Sequence, residues 1–413
     1  MNFDSKVIEI VNNAEAKLTE FFKELDNIAL TNQKKVLEAF QNNNVALRHF
    51  SGTTGYGYDD IGRDTLCKLF ADVFHSESAI VSPLIASGTH ALTLALFGIL
   101  RPNDKMLAIS GAPYDTLLSV ISGDNIGSLK DFGVSYEQIA LKNNDFDLEN
   151  IEKSIKAKTP KLIFIGRSRG YEWRDALSIS QIENVIKFIR KIDKNIVIMV
   201  DNCYGEFMDT LEPTDVDADI MVGSLIKNAG GGLAPTGGYI AGKEKYIEQV
   251  AYRLTSPSIG MEIGSYAYGY QPFYQGLFLA PHTTINATKG SALFGQVFND
   301  LGYEVCPKPT AKCNDTVRSI KFNTKEELIS FIQSIQKASP IDSNVLPMPW
   351  AMPGYDEEVI MAAGTFVAGA SIELSADSPI KEPYIAYVQG GLTYEHIKLA
   401  TILCTQELLI NKN

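Results

Sequence analysis

The sequence predicts an α/β protein with a mainly parallel central sheet in a large domain and a smaller α+β domain after it. Three observations carry this. The runs "KLIFIG" (161–166), "NIVIMVD" (195–201) and "DIMVGS" (219–224) are almost continuously apolar, as strands buried on both faces of a parallel sheet are. Between the first two lies "SISQIENVIKFIRKID", an amphipathic helix whose buried stripe is Ile182, Val185, Ile186 and Ile189. Beyond residue 286 this β-α-β alternation gives way to a different mixture of helices and strands.

Taken in order, residues 1–47 predict a helical arm, with Ile8, Val11, Ala14, Leu18, Phe21, Phe22 and Leu25 at helical spacing. Such an arm is expected to pack on something else. Residues 48–285 form the large domain. Within it "SPLIASGTHALTLALFGIL" reads as an apolar run, a tight turn and a helix. Residues 286–413 form the small C-terminal domain. There "ATKGSALFGQVFNDLGYEV" predicts a helix running into an edge strand. "EELISFIQSIQ" predicts a second helix, and "GASIELS" and "YIAYVQGG" predict strands. A chain of 413 residues accommodates about two or three domains at ~150 residues each.

Composition narrows the function. The formal charge is 37 − 49 = −12, which argues against nucleic-acid or anionic-membrane surfaces. No apolar stretch is long enough to span a bilayer. The amphipathic N-terminus lacks the apolar run of a signal peptide. The five cysteines are scattered and form no C-x-x-C pair, so neither a disulfide framework nor a metal site is expected. These features predict a cytoplasmic protein acting on a small molecule.

The informative stretch is "VGSLIKNAGGGLAPTGG", 222–238, where Lys227 stands alone among apolar residues and glycines. In a parallel sheet, ligands sit beyond the carboxyl ends of the strands. Asp201 ends one predicted strand, and Ser224 and Lys227 follow the next, so an acid, a hydroxyl and an amine converge on one edge. A desolvated lysine there is expected to have a lowered pKa, as Schiff-base chemistry requires. A carboxylate suits a protonated pyridine nitrogen, as pyridoxal 5'-phosphate (PLP) needs. A phosphate cradle is available at "ASGTHAL". Gly88 admits close backbone approach, the amides of Gly88, Thr89 and His90 face outward from a helix N-terminus, and Ser87 or Thr89 adds a hydroxyl. Ser-Gly-Thr before a helix also reads as a plain N-cap. Glycines 230–232 and 237–238 lack the strand-turn-helix setting of a dinucleotide loop and are read as close packing around the lysine. Cys203, His90 and His282 are read as structural.

The order of "GYGYDDIGRDTL", "ASGTHAL", "SRGYEWRDALSI", "VDNCYGEF", "GSLIKNAGGGLAPTGGYIAG", "LFLAPH" and "KEPYIAYVQGGLTYEH" resembles the methionine gamma-lyase-like, or "aluminium resistance protein", branch of the fold-type-I PLP enzymes, relatives of cystathionine beta-lyase. The resemblance runs from about residue 48 to near the C-terminus. It implies a PLP-dependent transferase-like fold and a carbon–sulfur lyase performing β- or γ-elimination on a sulfur-containing amino acid. It also implies PLP held by Lys227 as a Schiff base, Asp201 at the pyridinium nitrogen, Ser224 at the phosphate, Tyr204 at the ring hydroxyl and Tyr114 stacked on the ring. Tyr56, Tyr58 and Arg63 would reach the phosphate of a neighbouring subunit, in a homodimer or homotetramer. Tyr114 or Tyr58 would act as acid. The substrate carboxylate is expected at Arg169, Arg174 or Lys381, the last standing where the branch is expected to carry arginine. Amino transfer or a decarboxylase-like activity on the same scaffold, and a PLP-binding protein without significant turnover, are the alternative readings.

Overall fold

The computed structural model of the chain describes residues 2–352 and 357–410. The N-terminal stretch forms two helices, α1 (Ser5–Ala16) and α2 (Thr19–Asn42), with a break at Lys17 and Leu18. Val7, Val11, Ala14, Leu18, Phe21 and Leu25 enter the same core as the C-terminal elements. The arm therefore packs on its own chain.

The large sheet follows. After α3 (Ile61–Val73) come β1 (Ser78–Ser82), α4 (Gly88–Ile99), β2 (Lys105–Ala108), α5 (Asp115–Ser122), β3 (Ser135–Gln138), α6 (Leu148–Ala157), β4 (Leu162–Gly166), α7 (Ile179–Ile192), β5 (Val197–Asp201), β6 (Ile220–Ser224), β7 (Gly238–Gly242) and α8 (Glu244–Leu254). The seven strands lie in the order β1-β7-β6-β5-β4-β2-β3. The five from β6 to β3 are parallel, and β7 runs antiparallel to both its neighbours. Strands β2, β5, β6 and β7 are buried at every residue, which is why their sequences lack polar alternation.

The long helix α9 (Gln271–Asp300) serves both halves of the chain. Phe273, Tyr274, Leu277 and Ala280 pack beside the large sheet. Ile285, Leu293, Phe294 and Phe298 pack in the C-terminal core. The division placed at 285/286 falls within this helix. What changes there is the burial partner, not the secondary structure.

The remaining elements are β8 (Glu304–Cys306), β9 (Arg318–Lys321), α10 (Lys325–Ala338), β10 (Val359–Ala362), β11 (Ser375–Pro379), β12 (Ile385–Gln389) and α11 (Tyr394–Ile410). The strands form an antiparallel sheet ordered β10-β11-β12-β9-β8. The predicted strand "GASIELS" is displaced: the strand starts at Ser375. Ile372 and Leu374 are buried as a strand's would be. The Glu373 carboxylate instead holds a loop by accepting the Phe366 and Val367 amides, each at 2.9 Å. Among the described residues no helix is long and apolar enough to cross a membrane.

Candidate active site

The site grows from the carboxyl edge of the large sheet. Asp201 is the last residue of β5 and stands in register with Gly166 of β4 and Val222 of β6. It is 8% exposed, and its Oδ1 accepts the Cys203 amide at 3.1 Å. Burial pushes the Asp201 carboxyl above the usual carboxylate range, and the Lys227 ammonium opposes that rise. A cation placed against this carboxyl offsets the cost of its burial.

Three residues beyond the end of β6, the chain turns at Lys227. Its amide lies 3.3 Å from the Ser224 carbonyl. The half-buried side chain places Nζ 4.0 Å from the centre of the Tyr204 ring, a cation–π contact. Burial pulls the Lys227 pKa down, but Cys203, Tyr204, Asp201 and Tyr114 raise it, and the net direction is upward. The lowered pKa expected from the sequence is therefore corrected. Desolvation is present, and the acidic neighbours outweigh it.

The anion cradle is also in place. Ser87 caps α4, its Oγ accepting the His90 amide at 3.1 Å. The plain N-cap reading thus describes Ser87. Gly88 lies against the end of β6: a Cβ there would stand 3.3 Å from Ser224 Cβ and 3.4 Å from Cys203 Sγ. Ser224 is 1% exposed, and its Oγ is buried without a hydrogen-bond partner. A buried hydroxyl with no partner is costly, and here it faces a helix N-terminus, where an anion is favoured. Thr89 Oγ1 and the Tyr114 hydroxyl are 2.9 Å apart, so the N-terminus of α4 meets the N-terminus of α5. Tyr114 is 42% exposed. Burial around its hydroxyl, then Asp201, holds its pKa above the ordinary phenol value, so it keeps its proton at neutral pH. Cys203 is a buried thiol pushed well above its usual pKa, which fits packing and not nucleophilic chemistry. The glycines after Lys227 fit their packing role: the Gly230 carbonyl would lie 2.3 Å from a Cβ on Gly276 of α9.

A buried network that sequence reading missed supports the Asp201–Tyr204 loop. Arg167 Nη1 donates to Asn202 Oδ1 (2.7 Å) and to the Gly205 carbonyl (2.8 Å). Glu212 accepts from Asn202 Nδ2 (2.9 Å) and from the Phe207 amide (2.8 Å). Tyr204 and Phe207 have φ of 71° and 63°, strained for side-chain-bearing residues, and this network holds them there. A charged residue directly after the apolar strand 162–166 was the one available signal.

The remaining predicted residues lie apart. Tyr56 and Tyr58 are 68% and 61% exposed, with ring centres 5.6 Å apart. Neither makes a hydrogen bond or ring contact with Lys227, Asp201 or Ser224. Arg63 is spent on its own loop, donating to the Gly57 carbonyl (3.0 Å) and to Asp64 (2.9 Å). Arg169 is bound in two-pronged fashion by Asp315 (2.9 and 3.3 Å) and donates to the Val317 and Cys306 carbonyls. Arg174 is held by Glu172 and by the Asp175 and Ser168 carbonyls. Neither guanidinium is free for a substrate carboxylate. Lys381 is exposed at the turn between β11 and β12 and has no ion pair among the described residues. No group of three or more His, Cys, Asp or Glu side chains able to hold a metal occurs among the described residues.

A family model described as methionine gamma-lyase matches residues 7–409. The chain is 50% identical over 399 residues to the uncharacterized protein YnbB of Bacillus subtilis (strain 168), covering 96% of this chain and 94% of that protein. It is 50% identical to a carbon–sulfur lyase involved in aluminum resistance from Clostridium novyi NT, whose crystal structure matches with a TM-score of 0.94 over 97% of this chain and 96% of that one. A pyridoxal-5'-phosphate-dependent protein, YhfS from Escherichia coli, shares the fold at 14% identity, with a TM-score of 0.63 over 93% and 96% of the two chains.

Proposed function

The chain belongs to the methionine gamma-lyase family, and from that premise we propose that it is a PLP-dependent carbon–sulfur lyase eliminating a thiol from a sulfur-containing amino acid. One observation carries the reading: Lys227 Nζ rests on the Tyr204 ring at the sheet edge shared by Asp201 and by the unpartnered Ser224 hydroxyl. The residues fit the cofactor. The orphaned Ser224 Oγ and the amides of Gly88 and Thr89 would hold its phosphate. Asp201 would face its ring nitrogen and regain a cationic partner. Lys227 would hold its aldehyde, and Tyr114 would flank the ring. When bound, PLP supplies an electron sink that stabilises negative charge at the substrate α-carbon.

The protein's share of the chemistry follows from position. With PLP bound, Lys227 Nζ would take the proton from the substrate α-carbon. Asp201 would pair with the ring nitrogen and favour its protonated form. The Tyr114 hydroxyl, protonated and hydrogen-bonded to Thr89, delivers a proton to the departing sulfur. The exposed pair Tyr56 and Tyr58 is assigned to the site of a neighbouring copy in a homodimer, and Arg63 braces the loop that carries them. The test compares wild type with Lys227→Ala on a panel of S-alkyl cysteine and homocysteine substrates. Wild type is expected to release thiol, ammonia and keto acid, and the variant to lose this by at least a thousandfold. Keto acid formed only when an amino acceptor is added would favour amino transfer instead.

A further inference from the structure

Glu206 follows Tyr204 in the loop after β5 and is fully buried. The lyase chemistry above gives it no part. Its carboxyl fills a place where β6 lacks a side chain: a Cβ on Gly223 would stand 2.5 Å from Glu206 Oε1. Side chains alternate between the faces of a strand, so this carboxyl lies across β6 from the Ser224 hydroxyl. There Tyr239, a fully buried residue of β7, donates its hydroxyl to Glu206 Oε1 at 2.9 Å. The Glu206 carbonyl accepts a hydrogen bond from Asn228 Nδ2 at 3.1 Å. Asn228 is fully buried and directly follows Lys227. Glu206 thus connects three parts of the site: the loop that carries Tyr204, the strand that ends at Ser224 and the turn at Lys227.

The carboxyl lacks a compensating cation. Among the described residues it enters no ion pair, and the buried Arg167 lies instead 3.9 Å from Glu212. Oε2 is buried without a hydrogen-bond partner. The charged and titratable groups around it are Tyr239 on β7, Glu212 and Cys203 in its own loop, Arg167 after β4, and Lys227. Burial pushes the Glu206 carboxyl up to about 8, so it carries its proton at neutral pH. An ionised carboxylate here would compete with Asp201 for the positive charge at Lys227. It would also repel an anion held across the strand by Ser224.

We propose that Glu206 is a positioning residue that fixes the Lys227 turn against the Tyr204 loop, with Tyr239 holding its carboxyl in place. The inference rests on the PLP-binding reading above. Glu206 acts as the neutral acid. Its bonds hold the lysine where it would meet the cofactor, and its lack of charge leaves Asp201 to pair with the ring nitrogen.

The test titrates cofactor-free wild type, Glu206→Gln and Glu206→Ala with PLP and follows the absorbance of the bound cofactor. The glutamine variant keeps an acceptor for Tyr239 and cannot ionise. At pH 7 it is expected to bind PLP within about twofold of wild type, and the alanine variant about tenfold more weakly or worse. Raising the pH separates this role from a purely structural one. As Glu206 ionises above about pH 8, wild type is expected to lose PLP affinity relative to Glu206→Gln, by about fivefold at pH 9.5. Parallel pH profiles for these two proteins overturn the inference. So does a glutamine variant that binds as poorly as alanine at pH 7, or an alanine variant with wild-type affinity. Should Glu206→Ala fail to fold, the comparison of wild type with Glu206→Gln decides alone. A wild type that binds no PLP at any pH overturns the cofactor reading together with the inference, whereas PLP binding with parallel profiles overturns the inference alone.

Discussion

At the scale of single residues, the site is defined by groups whose surroundings are incomplete without a ligand. Ser224 Oγ is buried with no partner beside the start of α4. Ser224→Ala removes an unsatisfied hydroxyl, so the cofactor-free protein should unfold at the same denaturant concentration or higher. PLP affinity, read by absorbance titration, should fall by about tenfold or more, the equivalent of ~1.5 kcal/mol for a hydrogen bond to a charged group. Equal affinity in the two proteins would remove Ser224 from the phosphate cradle. Lys227, Asp201 and Ser224 were legible in the sequence because strand ends and charge stand out against apolar runs. The fates of Arg63, Arg169 and Arg174 were not. Asp315 reaches Arg169 only through tertiary packing, Gly57 and Glu172 are local partners, and spacing carries no sign of which guanidinium is already engaged.

At the scale of elements, the N-terminal arm does more than cover the core. Asn32, fully buried on α2, donates through Nδ2 to the Asp209 carbonyl at 2.9 Å, within the loop that follows Asp201. Asn32→Ala leaves that partly buried carbonyl unpaired, and should cost about 1 kcal/mol of unfolding free energy in urea. Because the same loop carries Tyr204 with its left-handed φ, PLP affinity should weaken along with stability. Unchanged stability would show that the arm does not brace the loop. The sequence revealed the arm's helicity and its apolar stripe. It gave no warning of the break at Lys17 and Leu18, since the stripe continues through Leu18 to Phe21. The shift of a strand from "GASIELS" to Ser375–Pro379 has a comparable cause. Apolar residues alternate through Ile372 and Leu374, but a buried carboxylate, Glu373, binds backbone amides and turns the chain.

At the scale of the whole molecule, the two sheets are linked beside Lys227, where Tyr204 packs against the Val317, Ile385 and Tyr387 cluster. The large sheet supplies the cofactor-binding edge: Asp201 and Ser224 at strand ends, with Gly88 beside them. The C-terminal sheet reaches this edge through that small cluster. The α/β class and the parallel core were readable from continuous apolar strands. The joining of both halves by the single helix α9 was not, because a change of burial partner at residue 285 looks like a change of domain. The central claim is that Lys227 is the residue that carries PLP. Its most direct test is borohydride reduction of the yellow protein followed by peptide mapping with mass spectrometry. The account predicts one phosphopyridoxyl group per chain, on the peptide containing Lys227, and none on Lys227→Ala. A label on another lysine, or a wild-type protein that binds no PLP, would contradict it.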